Sequence, residues 1–148
     1  MADYDTRLQQ AEAVANHRRI HVLDIEAQAG LQYTVDTISY LQHAFPNTHF
    51  VWLMGADNLS SFHRWRAWEA IAMRVPIAVL DRAPYGMRAL HQRFARCFAK
   101  ARLDERDART LAVSAAPAWV YLSIPRHALS ATYLRKTLGK AAFSRHNK

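Results

Sequence analysis

The chain has 148 residues, 51% of them apolar, and a formal net charge of +8, which fits one domain, residues 1–148, with a sizeable core and argues against a second. Its single cysteine, Cys97, excludes an intramolecular disulfide, and no Cys/His spacing resembles a zinc site, so a reducing cytoplasm is the expected compartment. No apolar run is long enough to cross a bilayer, and Met1-Ala2-Asp3-Tyr4-Asp5 lacks the basic-then-apolar pattern of a secretory leader.

Residues Tyr4 to Ala15 place Leu8, Ala11, Val14 and Ala15 at helical spacing, predicting an amphipathic helix with Arg7, Gln10 and Glu12 outside. Ile20, Val22 and Leu23 predict a short strand leading to a turn at Ala29-Gly30. A second helix opens at Tyr33-Thr34-Val35-Asp36-Thr37, with Thr34 as N-cap, and stops at Pro46-Asn47. The apolar run over 49–54 predicts a strand covered on both faces, as parallel strands are. It is followed by a short helical segment from Leu59 to Phe62 and a helix from Ala67 to Met73. Val75-Pro76-Ile77-Ala78-Val79-Leu80 predicts a second buried strand with proline at its start, where a missing donor matters least, and its end is again polar, Asp81 and Arg82. Residues 87–103 predict a basic helical segment, and 104–117 are weakly patterned. Trp119-Val120-Tyr121-Leu122 predicts a last strand, and Ser130 to Leu138 a closing helix. This alternation predicts an α/β fold with a parallel sheet of βαβ units, without repeats or linkers.

Of 20 Lys/Arg and 12 Asp/Glu, 6 and 9 fall in residues 1–81, so the positive charge belongs to the second half. A surface of that kind serves nucleic acid, polyphosphate substrates or plain solubility. The aromatic residues stand mostly in the acidic half and do not interleave with the basic run, which makes a nucleic-acid-binding module the weaker alternative.

The most informative stretch runs from Phe50 through Gly55-Ala56-Asp57-Asn58 to Phe62, His63, Trp65 and Trp68. In an open α/β sheet ligands bind beyond the carboxyl ends of the strands, and this strand ends in a glycine, a carboxylate and an amide. Gly55 permits close approach to the backbone, Asp57 can accept from sugar hydroxyls, and the tryptophans offer flat faces to a ring. Plainer readings stand beside these: Asp57 as an N-cap, Trp65 and Trp68 as helix anchors, His63 as a structural or substrate-adjacent residue. The remaining histidines, among them His17, His21 and His43, form no metal-ligand spacing.

Met54-Gly55-Ala56-Asp57-Asn58-Leu59, then Phe62-His63-x-Trp65-x-x-Trp68 and Ile71, then Pro76 through Arg82, resembles the nicotinate-nucleotide adenylyltransferases. Tyr33-Thr34-Val35-Asp36-Thr37-Ile38 looks like that family's Tyr-Thr-x-x-Thr-Leu segment. Leu129-Ser130-Ala131-Thr132-Tyr133-Leu134-Arg135 looks like its carboxyl-terminal Ile-Ser-Ser-Thr-x-Ile-Arg motif, with Ala131 in place of the second serine. The resemblance implies a Rossmann-like nucleotidyltransferase fold and transfer of AMP from ATP to nicotinate mononucleotide, giving deamido-NAD and pyrophosphate with Mg2+ assisting. It also implies that Thr34 and Trp65 flank the nicotinate ring, with backbone groups near Arg66 meeting its carboxylate. An aromatic face over a cationic pyridinium gains dispersion and cation–π attraction, which fits. Gly55 and Asp57 would lie by the nucleotide sugar, and Arg82, Ser130, Thr132 and Arg135 by phosphates, where helix amides and a guanidinium fork suit anionic oxygens. Plainer readings are helix capping for Ser130 and a solvated basic face for Arg135.

In that family a first strand and helix carry a Gly-rich loop and a His-x-Gly-His motif. This sequence has only Gly30, Gly55, Gly86 and Gly139, none two residues after a histidine and before another. The expectation is therefore a fold whose first strand and helix are missing, a catalytic set without the activating histidines, and impaired adenylyl transfer, since that reaction depends on in-line positioning and charge stabilisation at the phosphate. A related nucleotidyltransferase with another acceptor, such as phosphopantetheine, is the second alternative.

Overall fold

Three strands of four residues each, β1 (Trp52–Gly55), β2 (Ile77–Leu80) and β3 (Trp119–Leu122), lie side by side and parallel in the order β1-β2-β3. The computed structural model that contains them describes residues 4–15, 17–81 and 86–123. The register sets Gly55 opposite Leu80 and Leu80 opposite Leu122, so all three strands finish level at one edge. Pro76 stands one residue before β2, where its carbonyl accepts from Trp52 N at 2.8 Å and its missing N–H interrupts nothing. Parallel strands need crossovers. Between β1 and β2 the chain runs through α4 (Leu59–Phe62) and α5 (Trp68–Arg74), and between β2 and β3 through α6 (Arg93–Cys97) with 3-10 segments on either side.

The two faces of the sheet differ. One carries Met54, Ile77, Val79, Trp119 and Tyr121, packed under α4, α5, α6 and α3 (Thr34–Ala44) through Leu59, Phe62, Ile71, Phe94, Val35 and Ile38. Phe62, Ile71, Val79 and Leu59 have no exposed surface at all. Each buried side chain of this size contributes roughly 1.5–3 kcal/mol, which makes this face the main source of cohesion. The other carries Ala78 and Val120, covered by Leu111 from the 3-10 run Glu105–Val113, with Leu103, Ala108 and Val51 at the margin. Trp119 Nε1 donates to Phe98 O at 2.7 Å, and Tyr121 OH to Gly86 O at 2.8 Å, so the two large polar-tipped aromatics of β3 keep their donors satisfied inside the core. Gly86 has φ +47°, a left-handed backbone that glycine adopts without strain.

Several sequence expectations are changed. The segment containing Ile20, Val22 and Leu23 forms no strand, and Ile20 and Leu23 are exposed; no strand among the described residues pairs with it, and a lone extended segment has nowhere to place its backbone hydrogen bonds. It gives way instead to a one-turn helix, α2 (Ile25–Gln28). The first helix, α1 (Tyr4–Val14), has the expected extent but buries no residue, with Val14 84% exposed. β1 is not covered on both faces: Met54 is buried while Leu53 is 63% exposed, because β1 is the outer strand of the described sheet and the Glu105–Val113 cover does not reach it. The basic segment is broken rather than one continuous helix, a 3-10 run over Gly86–His91, then α6, then a 3-10 turn over Ala99–Ala101. Thr34 is the first residue of α3 and Tyr33 the N-cap, one residue earlier than the sequence reading, and no side chain caps the helix. The expected closing helix lies outside the described residues.

Candidate nucleotide-binding site at the strand ends

Beyond the carboxyl end of β1 the chain turns through a 3-10 segment, Ala56–Asn58, directly into α4. Gly55 is buried at φ −75°, ψ 152°, an ordinary extended backbone, so its use here is its lack of a side chain rather than any special conformation. Asp57 follows in the 3-10 turn. Its backbone carbonyl accepts from Ser60 Oγ at 2.9 Å, but its carboxylate caps nothing: the N-cap residue of α4 is Asn58, and no side-chain cap bond exists there. The capping role considered for Asp57 is thereby removed. Its Oδ1 is buried without a hydrogen-bond partner among the described residues, an arrangement that costs about 1–3 kcal/mol until something donates to it.

Two further groups at this edge share that condition. Asp81 follows Leu80 at the end of β2; its amide continues the ladder to Leu122 O at 2.8 Å, while its Oδ1 is buried and unpartnered. His63, at the C-cap of α4, has a buried, unpartnered Nδ1. Sequence reasoning noted Asp81 only as the polar end of a strand. The signal was a carboxylate immediately after an apolar strand level with the Gly55-Ala56-Asp57 turn, but levelness is a property of the register and not of the sequence.

The loop from His63 to Ala67 separates two tryptophans that differ in burial. Trp68 opens α5 and is 9% exposed; its ring meets Phe62 and Phe98 edge-on at 6.1 and 6.0 Å, and the Arg93 guanidinium lies 5.9 Å above it. Trp68 is the core anchor. Trp65 is only half-buried and is held by edge contacts with Phe62 at 5.3 Å and Trp52 at 6.5 Å, which fix its orientation without covering the whole ring. Arg66, exposed, reaches across to α3, its guanidinium 4.4 Å over the Tyr33 ring. That contact brings the Tyr33-Thr34 end of α3 to the Trp65-Arg66 loop, so two segments thirty residues apart in the chain meet at one place. Thr34 is half-buried there. Behind it, Thr37 Oγ1 donates to Glu26 Oε1 at 3.0 Å, tying α2 to the first turn of α3.

Gly55, Asp57, Thr34, Trp65 and Arg66 thus stand on β1, its exit turn, the start of α3 and the following loop. Arg82, Ser130, Thr132 and Arg135 lie outside the described residues. Among the described residues no group of three His, Cys, Asp or Glu side chains is placed to hold a metal ion.

A level-ended parallel sheet with helices packed over it, and unpartnered polar atoms at the carboxyl edge, is the Rossmann-like α/β arrangement that takes nucleotides. Residues 1–137 match the model of the cytidylyltransferase-like family, which sets the class as nucleotidyltransferase. The chain is similar, at 47% identity over 135 residues, to a probable nicotinate-nucleotide adenylyltransferase of Methylorubrum extorquens strain PA1, covering 91% of this chain and 73% of the relative. A protein of the same description from Brucella suis biovar 1 is 45% identical over 145 residues, 98% of this chain and 75% of its own length. Identity of that extent over that share of both chains is decisive: the chain belongs to the nicotinate-nucleotide adenylyltransferase family, enzymes that use ATP to adenylylate a pyridine nucleotide. Its fold is similar to that of Plasmodium falciparum nicotinic acid mononucleotide adenylyltransferase complexed with APC, with a TM-score of 0.60 at 16% identity over 92% of this chain and 62% of that one. The chain therefore spans about three-quarters of the length of the bacterial relatives and less than two thirds of the solved structure.

Proposed function

We propose that the described residues form the acceptor side of an enzyme that transfers AMP from ATP to nicotinate mononucleotide, releasing pyrophosphate and forming deamido-NAD in the cytoplasm. The observation that carries this reading is the contact of Arg66 with Tyr33, which brings the Tyr33-Thr34 end of α3 to the loop that bears the half-buried Trp65. On this reading the pyridinium ring stacks on Trp65, Thr34 forms the opposite wall, and backbone groups near Arg66 receive the carboxylate. Asp57, at the mouth of β1, accepts from ribose hydroxyls and so relieves its unpartnered oxygen.

The phosphate side is assigned to Arg82, Ser130, Thr132 and Arg135. Magnesium is proposed to enter with ATP as its phosphate counter-ion. It lowers the cost of gathering phosphate charge when bound. The outer edge of β1, where Leu53 is exposed, is the place proposed for the family's first strand and its His-x-Gly-His unit, which would position the reacting phosphate. The 148-residue sequence contains no such motif, so it is proposed to bind acceptor and to transfer AMP poorly by itself.

Titrating nicotinate mononucleotide into the purified chain, followed by calorimetry, tests the acceptor reading. Saturable binding that is lost in Trp65→Ala is expected; equal binding by that variant would remove Trp65 from the site. A separate assay with ATP, magnesium and nicotinate mononucleotide tests the second statement, and turnover at an ordinary enzyme rate would refute it.

A further inference from the structure

We propose that Tyr33 is a positioning residue for the acceptor pocket: by carrying the Arg66 guanidinium on its ring face it holds the Trp65 loop against the start of α3. The inference rests on the acceptor reading above, which puts the nicotinate ring between Thr34 and Trp65.

The geometry has three parts. Tyr33 directly precedes Thr34, and Arg66 directly follows Trp65, so the 4.4 Å contact between them ties together the two residues proposed as the pocket walls at one residue's remove on each side. The Tyr33 backbone is fixed, since its carbonyl accepts from Asp36 N at 2.9 Å and Thr37 N at 3.1 Å as the first turn of α3. Its ring, however, is 41% exposed, too open for a core residue, and the guanidinium is what it supports.

The loop on the other side needs such a support. From His63 to Ala67 it is held by single turns, Arg64 N to Ser61 O and Trp65 N to Phe62 O, each at 2.9 Å, and Trp68 N to Trp65 O at 3.2 Å. It leaves through Ala67 at φ +50°, a left-handed conformation that an alanine adopts at a cost of about 1–2 kcal/mol and that other contacts must impose. Among the described residues no carboxylate pairs with Arg66. The ring face is therefore its fixed point, and among the described residues nothing accepts from the guanidinium's outer N–H groups.

The experiment compares Tyr33→Phe, Tyr33→Leu, Arg66→Gln and the Tyr33→Leu/Arg66→Gln double variant. Phenylalanine keeps the ring face and leucine removes it. Affinity for nicotinate mononucleotide is measured by calorimetry, the near-ultraviolet circular dichroism of the free protein reports the aromatic environment, and thermal melting checks folding. The expected result is binding by Tyr33→Phe equal to the unsubstituted chain, and binding by Tyr33→Leu about two- to fivefold weaker, as loss of an exposed cation–π contact implies. Tyr33→Leu should also show an altered aromatic spectrum at an unchanged melting temperature, and the double variant should be no weaker than Arg66→Gln alone. Nicotinate mononucleotide binding undiminished in Tyr33→Leu overturns the positioning role and leaves the acceptor reading standing. No binding by the unsubstituted chain overturns that reading and this inference with it.

Discussion

Phe62 and Trp65 meet edge to face, their ring centroids 5.3 Å apart and their planes at 65°, with Phe62 wholly buried and Trp65 half out. Phe62 also meets Trp68 at 6.1 Å and Phe94 at 5.2 Å, so the ring that orients Trp65 is itself locked into the main core. The proposed acceptor site thus rests on a rigid hydrophobic base rather than on the loop alone.

Trp65 and Trp68 should accordingly respond in opposite ways. Trp68→Ala is expected to lower stability by about 3–5 kcal/mol, because it empties a packed position between Phe62 and Phe98. Trp65→Ala is expected to cost less stability but to weaken nicotinate mononucleotide binding by tenfold or more. Denaturant unfolding and calorimetry on both variants check the contrast, and a larger stability loss in Trp65→Ala would contradict it.

Asp57 holds a buried carboxylate oxygen to which nothing among the described residues donates. Such a group trades stability for binding. Asp57→Ala is expected to raise the stability of the free protein by about 1 kcal/mol and to weaken nucleotide binding about tenfold. Melting temperature and titration measured on the same preparation decide it; a fall in both would mean that the carboxylate is structural.

Ala67 lies at φ +50° at the exit of the Trp65 loop. Ala67→Gly is expected to leave stability within about 0.5 kcal/mol of the original, since relief of the left-handed strain offsets the greater freedom of the unfolded chain. Ala67→Val, with a branched side chain, is expected to lower it by about 2 kcal/mol. Urea unfolding of the three proteins tests the order.

Tyr4 donates a hydrogen bond to the Asp24 carboxylate, and this bond, with the nearby negative charge of Asp24, raises the Tyr4 hydroxyl above its ordinary value of 10.0. A raised folded value means that the contact is fully present below the unfolded value and is lost as pH rises through the folded one. Because α1 buries no residue, this bond is expected to help hold it. Hydrogen exchange of the 4–14 amides, measured by mass spectrometry at neutral pH, should therefore be faster in Tyr4→Phe. The tyrosinate absorbance lost on Tyr4→Phe, taken as the difference between the two proteins, should rise later in pH than that of free tyrosine. Equal exchange in the two proteins would show that α1 is held by something else.

Much of the fold could be read from the residue pattern. The apolar runs ending at Leu80 and Leu122 became parallel strands, and the helical spacing after Tyr33 became α3 within a residue of its expected start. These features are local: strand and helix periodicity is carried by each segment itself. Ile20 to Leu23 and Leu53 failed the same reasoning, because a strand needs a neighbour and a buried face needs a cover, and neither is encoded in the segment concerned. The broken basic segment at 86–101 shows the same limit, since the packing of Phe94 and Phe98 onto Trp119 and Trp68 overrides its helical spacing.

By itself the sequence determined the family and the identity of the groups at the strand ends, because ordered motifs such as Met54 to Leu59 and Phe62 to Trp68 are chemical inventories that need no coordinates. Which of those groups remain unsatisfied was decided only in three dimensions. Trp65 and Trp68 are the same residue type three positions apart, yet the register and the turn at Ala67 put one into the core and leave the other half open. Likewise the meeting of Arg66 with Tyr33, and the burial of an unpartnered Asp57 oxygen, depend on how α3 and β1 pack, since hydrogen-bond satisfaction and ring contact are properties of neighbours in space.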